Sequence, residues 1–185
     1  MLPVAATLLA LGGVVLGWLL SAATDAWRRR REARVSARMI YVELLENKHA
    51  LEQAIGSVGD LPSPPRYAAW EGHASSLLHD DRSGDLSLAV MTAYSSVRSD
   101  AGLIQWLQAD QERRMTRLRE LTTALEIRRD DGPDPGAAAE LRLLAAHVEK
   151  AKTMFTDYLS GIETSTIPRI AEALRLLGRR TGMAG

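Results

Sequence analysis

The one cluster in the 185-residue sequence that suggests convergent chemistry is Glu71, His73, His79, Asp80 and Asp81, and it holds two of the chain's four histidines. Two imidazoles that share one metal ion from a helix stand four residues apart, because that spacing puts them on one face. His73 and His79 are six apart, so the cluster is expected to be polar surface at a helix end. Glu46 and His49 match one half of the Glu-x-x-His pairing that di-iron bundles take from each of two helices, but no second pair follows. His147 stands alone. Glu43 with Glu46, and Glu140 with Glu149, are expected to lie on exposed helix faces rather than to work as acid and base.

The absence of cysteine excludes a thiol nucleophile, a zinc–thiolate site and a disulfide framework. No glycine-rich loop after a strand, GxSxG elbow, Walker lysine or HExxH motif is present. The sequence therefore predicts no catalytic residue, no metal site and no cofactor. Trp70, Tyr94, Trp106, Phe155 and Tyr158 are the aromatics available to line a ligand pocket, and core packing is their ordinary use in a helical bundle.

The elements behind these residues are helices. No segment shows the alternating β-branched pattern of a strand, whereas apolar residues recur at three- and four-residue steps over long stretches. The predicted fold is all-α: a single transmembrane helix that continues into a bundle of three long helices and one short one. Ile40, Leu44, Leu51, Ile55 and Val58 mark the first stripe, on which Asn47 either fixes the helix register by hydrogen bonding or, as is more common and is expected here, faces water at the edge. Gly56, Gly59, Pro62, Pro64 and Pro65 require a loop, after which a short helix is expected over residues 66–79. A third helix, over 86–129, is expected to be capped by Asp85 and bent or interrupted at Gly102. Residues 130–136, rich in Asp, Gly and Pro, form the clearest turn and predict an antiparallel return from Ala137. Within that last helix the stripe through Phe155, Tyr158 and Ile162 resumes out of phase at Ile170, which predicts a kink between Gly161 and Pro168.

Residues 1–24 carry no charge, and the run from Val4 to Ala23 is mostly Ala, Val, Leu and Gly. About 20 helical residues cross a ~30 Å hydrocarbon layer, so this run predicts a membrane anchor. A basic segment, 25–38, follows; from Ala26 to Arg38 it sets six arginines against one glutamate. Arg28, Arg29, Arg30, Arg31, Arg34 and Arg38 place the bundle, 39–179, and a tail, 180–185, in the cytoplasm, with the N-terminus outside. A cleaved signal peptide is the rival, since Ser21-Ala22-Ala23 resembles a cleavage site, but its positive charge would normally precede the apolar run. Trp27, and Trp18 before it, are placed for the headgroup layer, and the arginines for lipid headgroups.

Ala6, Ala10, Gly13, Gly17 and Ser21 share one helix face, and Gly13 to Gly17 is a GxxxG element through which two helices approach closely. The expected partners are the lipid bilayer, a second copy of the chain and a further protein; no nucleic acid is expected. The function expected from sequence is non-enzymatic: a membrane-anchored scaffold or adaptor mediating self-association or partner binding at the cytoplasmic face. A tethered sensory bundle with a small ligand is the alternative, and a metal-carboxylate bundle enzyme is a more distant one.

Overall fold

Between Trp18 and Ile55 neither glycine nor proline interrupts a stretch rich in Ala, Leu, Arg and Glu, all strong helix formers. In the computed structural model this stretch lies within one helix, α1 (Leu2–Gly56), of 55 residues. At 1.5 Å per residue it is about 80 Å long. Three more helices follow: α2 (Ala68–Asp80), α3 (Asp85–Ile127) and α4 (Pro135–Thr181). The structure describes residues 2–57, 61, 63–81, 84–127 and 135–183, with the side chains of 2–10, 79, 80 and 127 outside the description. Among the described residues all regular structure is helical, three long helices and one short.

Among the described residues no helix is long and apolar enough to cross a membrane. Of the charge-free run, Met1 and the side chains of residues 2–10, including Ala6 and Ala10, lie outside the described residues.

Tertiary packing of α1 begins at Ala33. From there Ala33, Ala37, Ile40, Leu44, Asn47, Leu51 and Ala54 alternate four- and three-residue steps, and all are buried. Val90, Val97 and Ile104 on α3, with Phe155, Ile162, Ile170 and Leu177 on α4, keep a similar spacing. A repeat near 3.5 residues holds an apolar seam against a neighbour over many turns at a shallow crossing angle. Each Leu or Ile buried there contributes roughly 1.5–3 kcal/mol. The two last helices are antiparallel, because the pairs Ser96–Arg169, Asp100–Tyr158 and Arg117–Glu140 ascend one helix while descending the other.

The kink expected between Gly161 and Pro168 falls inside a single continuous helix. Helix α4 runs unbroken with Pro168 inside it, and Leu159, Thr166 and Ala173 fill the positions that made the stripe look out of phase. Proline removes one helical N–H. Separately from that lost bond, which would have gone to the Thr164 carbonyl, the Thr164 hydroxyl donates to the Ser160 carbonyl and that of Ser165 to the Gly161 carbonyl. Thr166 sends its hydroxyl to Asp100 Oδ2, 2.5 Å away, and Tyr158 donates to Oδ1 of the same carboxylate at 2.8 Å. A polar residue thus continues the seam because its partner on α3 is also polar. Helix α3 likewise passes Gly102 without interruption.

Two helix ends depart from expectation. Asp85 is the first residue of α3. Asp81 supplies the cap, Oδ2 accepting both the backbone N–H and the hydroxyl of Ser87 at 2.7 Å. The chain reaches that arrangement through Gly84 at φ +77°, where a side chain would be strained. At the other end of the bundle, Gly182 at φ +71° lets Met183 N–H close back on the Gly178 carbonyl at 3.1 Å, terminating α4. Of the expected turn, residues 130–134 lie outside the described residues, while Pro135 and Gly136 already belong to α4.

Beyond Ile104 on α3 and before Phe155 on α4, Val148 is the one buried residue among the described side chains. Leu118, Leu121, Leu125, Leu141 and Leu144 are half-buried there. This stretch is a two-helix arm, clasped by Arg117 and Glu140 at 3.4 Å. It presents Trp106, Leu143 and Met154 on its surface.

Candidate functional site

Two regions carry the side chains that sequence singled out. The first is the part of α1 ahead of the bundle. Residues 11–32 are exposed on every side, with Val14 71% and Trp18 69% accessible, so among the described residues nothing covers this apolar surface. Gly13, Gly17 and Ser21 are exposed as well, and a Cβ built on either glycine would meet nothing within 4 Å. Arg28, Arg29, Arg30, Arg31, Arg34 and Arg38 all reach solvent. Arg28 pairs with Glu32 at 3.0 Å, and the Arg31 guanidinium lies 5.7 Å from the centroid of the Trp27 ring. Where this segment meets α2, a groove of about 560 Å³ opens, walled by the arginine side of α1 and by His73 and Ser76.

The second region is built on a carboxylate that sequence reasoning misplaced. Glu43 is not on an exposed face: it is 7% accessible and points at the start of α2. Its Oε2 accepts the backbone N–H of Ala69 at 2.8 Å, and Oε1 accepts that of Trp70 at 3.2 Å and the Tyr94 hydroxyl at 2.6 Å. The reason lies in α2 itself. Its N-cap position is Tyr67, whose side chain makes no capping bond, so the free N–H groups of the first turn need an acceptor from elsewhere. A carboxylate there also complements the positive end of the helix dipole.

Asn47, one turn further along α1, fixes the approach to the same helix. It is buried, contrary to the expected watery edge. Its Nδ2 donates to the Arg66 carbonyl and its Oδ1 accepts the Arg66 N–H, both at 2.8 Å. One amide thereby satisfies both backbone groups of a residue in a proline-containing loop, which has no ladder to join.

Around this framework Trp70 stacks on Tyr94 with centroids 5.2 Å apart, and Arg98 lies 4.8 Å from the Tyr67 ring centroid while pairing with Glu71 at 3.4 Å. These side chains leave a shallow cleft of about 220 Å³. Drug-sized ligands typically occupy roughly 300–1,000 Å³. The aromatics suggested for one pocket do not converge: Phe155 is in the core, Tyr158 is bonded to Asp100, and Trp106 is exposed.

Burial holds the Tyr94 phenol well above its ordinary value of 10, reinforced by the bond to the Glu43 carboxylate. Burial and then Asp100 do the same for Tyr158. A phenol kept neutral in the fold contributes stability in full below the unfolded value near pH 10; that contribution is lost as pH rises further towards the folded value, because the unfolded chain ionises first. Urea midpoints measured from about pH 8 to about pH 11 are expected to fall at the alkaline end. The fall should be shallower in Tyr94→Phe/Tyr158→Phe, and an unchanged slope in that variant would refute the assignment.

The remaining candidates are dispersed. His73 Nδ1 lies 3.3 Å from Ser36 Oγ, half-buried between α2 and α1, so it is not solvent-facing polar surface. His49 meets Gln53, Glu46 pairs with Arg66 at 3.1 Å, and Glu149 pairs with Lys152 at 2.9 Å. The side chains of His79 and Asp80 lie outside the described residues. Among the described residues no three His, Asp or Glu side chains gather as a metal site would require. Sequence had a usable signal for Asn47, which interrupts an apolar stripe, because a polar residue on a core face requires a partner on another element; Glu43 stands beside the stripe, next to Leu44, and carried no such signal.

Comparison with protein-family models, curated proteins and solved structures found no match to this chain.

Proposed function

We propose that this chain is a non-enzymatic, single-pass membrane scaffold, its N-terminal helix in the bilayer and its bundle at the cytoplasmic face. The observation that carries the reading is the bare first half of α1. The charge-free sequence ends at Thr24, tertiary packing starts at Ala33, and the apolar side chains of residues 11–20 are exposed on every side. An apolar helix of this kind needs a medium to cover it, and exposed patches of this extent mark interaction or membrane surfaces. The six arginines that follow supply the cytoplasmic retention signal and attraction to anionic lipid.

Two features support a scaffold on that anchor. The GxxxG face offers a close-packing surface to a second helix, and the α3–α4 arm offers a half-open leucine seam to a protein partner. Because a Cβ at Gly13 or Gly17 touches nothing within the chain, substitution there changes only what an outside helix can approach. Gly13→Ile/Gly17→Ile is expected to leave the bundle's melting temperature unchanged. It should lower in-cell crosslinking between copies several-fold, in line with interhelical packing energies of about 1 kcal/mol. Crosslinking equal to wild type would refute pairing through this face.

A ligand-sensing bundle is the second reading, and the cleft beside Tyr67, Trp70 and Arg98 is the place for it. That cleft is shallow and its ring faces are already stacked on one another, which favours the scaffold.

A further inference from the structure

Resting on the anchor reading above, we infer that the groove between α1 and α2 at the arginine collar binds the phosphodiester headgroup of an anionic membrane lipid. Arg28 and Arg31 form one side of the groove, and His73 and Ser76 of α2 the other. Steps of three and four residues put Arg28, Arg31 and Val35 on one face of α1, so two guanidiniums and an apolar floor are presented together. Arg31 is braced against the Trp27 ring. His73 Nδ1 is held by Ser36, which leaves the other ring nitrogen for a ligand.

Charge selects the kind of phosphate. Glu32 stands in the same groove, so two arginines face one carboxylate and these three side chains leave a surplus of a single positive charge. That surplus matches a monoanionic phosphodiester better than a dianionic phosphomonoester. The Arg28–Glu32 pair is exposed on both sides and so contributes little that a ligand would have to displace. The groove, about 560 Å³, has the volume of a small-molecule site. Its uppermost lining residue, Thr24, is also the last residue of the charge-free run, which puts the groove at headgroup depth if that run lies in the bilayer. A collar of arginines alone would attract any anionic surface; the wall from α2 gives part of it a second side and makes it an open groove.

The full chain in nanodiscs of phosphatidylcholine with a minority of phosphatidylglycerol, followed by native mass spectrometry of retained lipid, tests this. Wild type is expected to retain phosphatidylglycerol over phosphatidylcholine roughly tenfold, equivalent to about 1.4 kcal/mol. Arg31→Gln and His73→Ala should bring retention near parity, and Ser76→Ala should lower it. Arg29→Gln, outside the groove, should keep the preference. Equal loss in Arg29→Gln and Arg31→Gln would overturn the site in favour of diffuse attraction. Displacement of the lipid by inorganic phosphate or glycerophosphoglycerol would overturn the lipid as its occupant. If His73→Ala lowers the melting temperature, Ser76→Ala carries the readout for the α2 wall, and wild-type retention there would overturn that wall's role. Anchored protein without headgroup preference refutes this site alone, whereas protein released by alkaline carbonate refutes the anchor.

Discussion

Replacing Glu43 with alanine is expected to destabilise the bundle on the order of 3 kcal/mol, because it strands three donors at once. The N–H groups of Ala69 and Trp70 and the hydroxyl of Tyr94 all converge on that carboxylate, and Tyr67 offers no local substitute at the helix cap. For a domain of this size such a loss lowers the melting temperature by roughly 10 °C. Glu43→Gln keeps one acceptor oxygen but turns an NH2 towards donors, so about half the loss should remain. Tyr94→Phe removes a single donor and should cost about 1 kcal/mol. The double variant Glu43→Ala/Tyr94→Phe is expected to cost less than the sum of its parts, since the second change removes a hydroxyl that the first left without a partner. Strict additivity in thermal melts would show that the three-way contact does not hold α2 in place.

Val14→Arg should have the opposite profile. Val14 lies near the middle of the charge-free run and is 71% exposed, with no packing partner to lose. A charge at the centre of a spanning helix costs about 2.5–3.5 kcal/mol on insertion scales, enough to shift partitioning out of the bilayer by about a hundredfold. The melting temperature of the bundle should not move. Glu43→Ala is thus expected to weaken the bundle, and Val14→Arg to weaken its proposed attachment. Membrane retention equal to wild type in Val14→Arg would argue against a span centred there.

The four helices were legible because their signals are local and redundant. Alternating three- and four-residue apolar steps and the proline- and glycine-rich connections both mark them, and boundaries missed by a residue or two change nothing in the packing. The polar members of the core were harder to read. Asn47 and Thr166 sit on an otherwise apolar seam and Glu43 beside one, and each is bonded to a distant partner: Arg66, Asp100 and the start of α2. A polar residue in a stripe looks like the edge of the stripe until its partner is located, and the partner of Glu43 lies 26 residues away at Ala69. The displaced phase expected at Pro168 has the same origin, since leaving out Thr166 opens a gap where the seam is continuous. The groove at the collar was half legible: its arginines stand together in sequence, whereas His73 and Ser76 join them only because α2 turns back along α1.

The proposed anchor bears most directly on the proposed function, and one measurement addresses it without any variant. Membranes from cells expressing the full chain are floated through a density gradient and washed with alkaline carbonate, which strips proteins held by charge but not those embedded in hydrocarbon. The expected result is that the chain floats with the bilayer and stays there through the wash, leaving only in detergent. Release of the chain into the carbonate supernatant would contradict a spanning first helix and, with it, the proposed membrane scaffold.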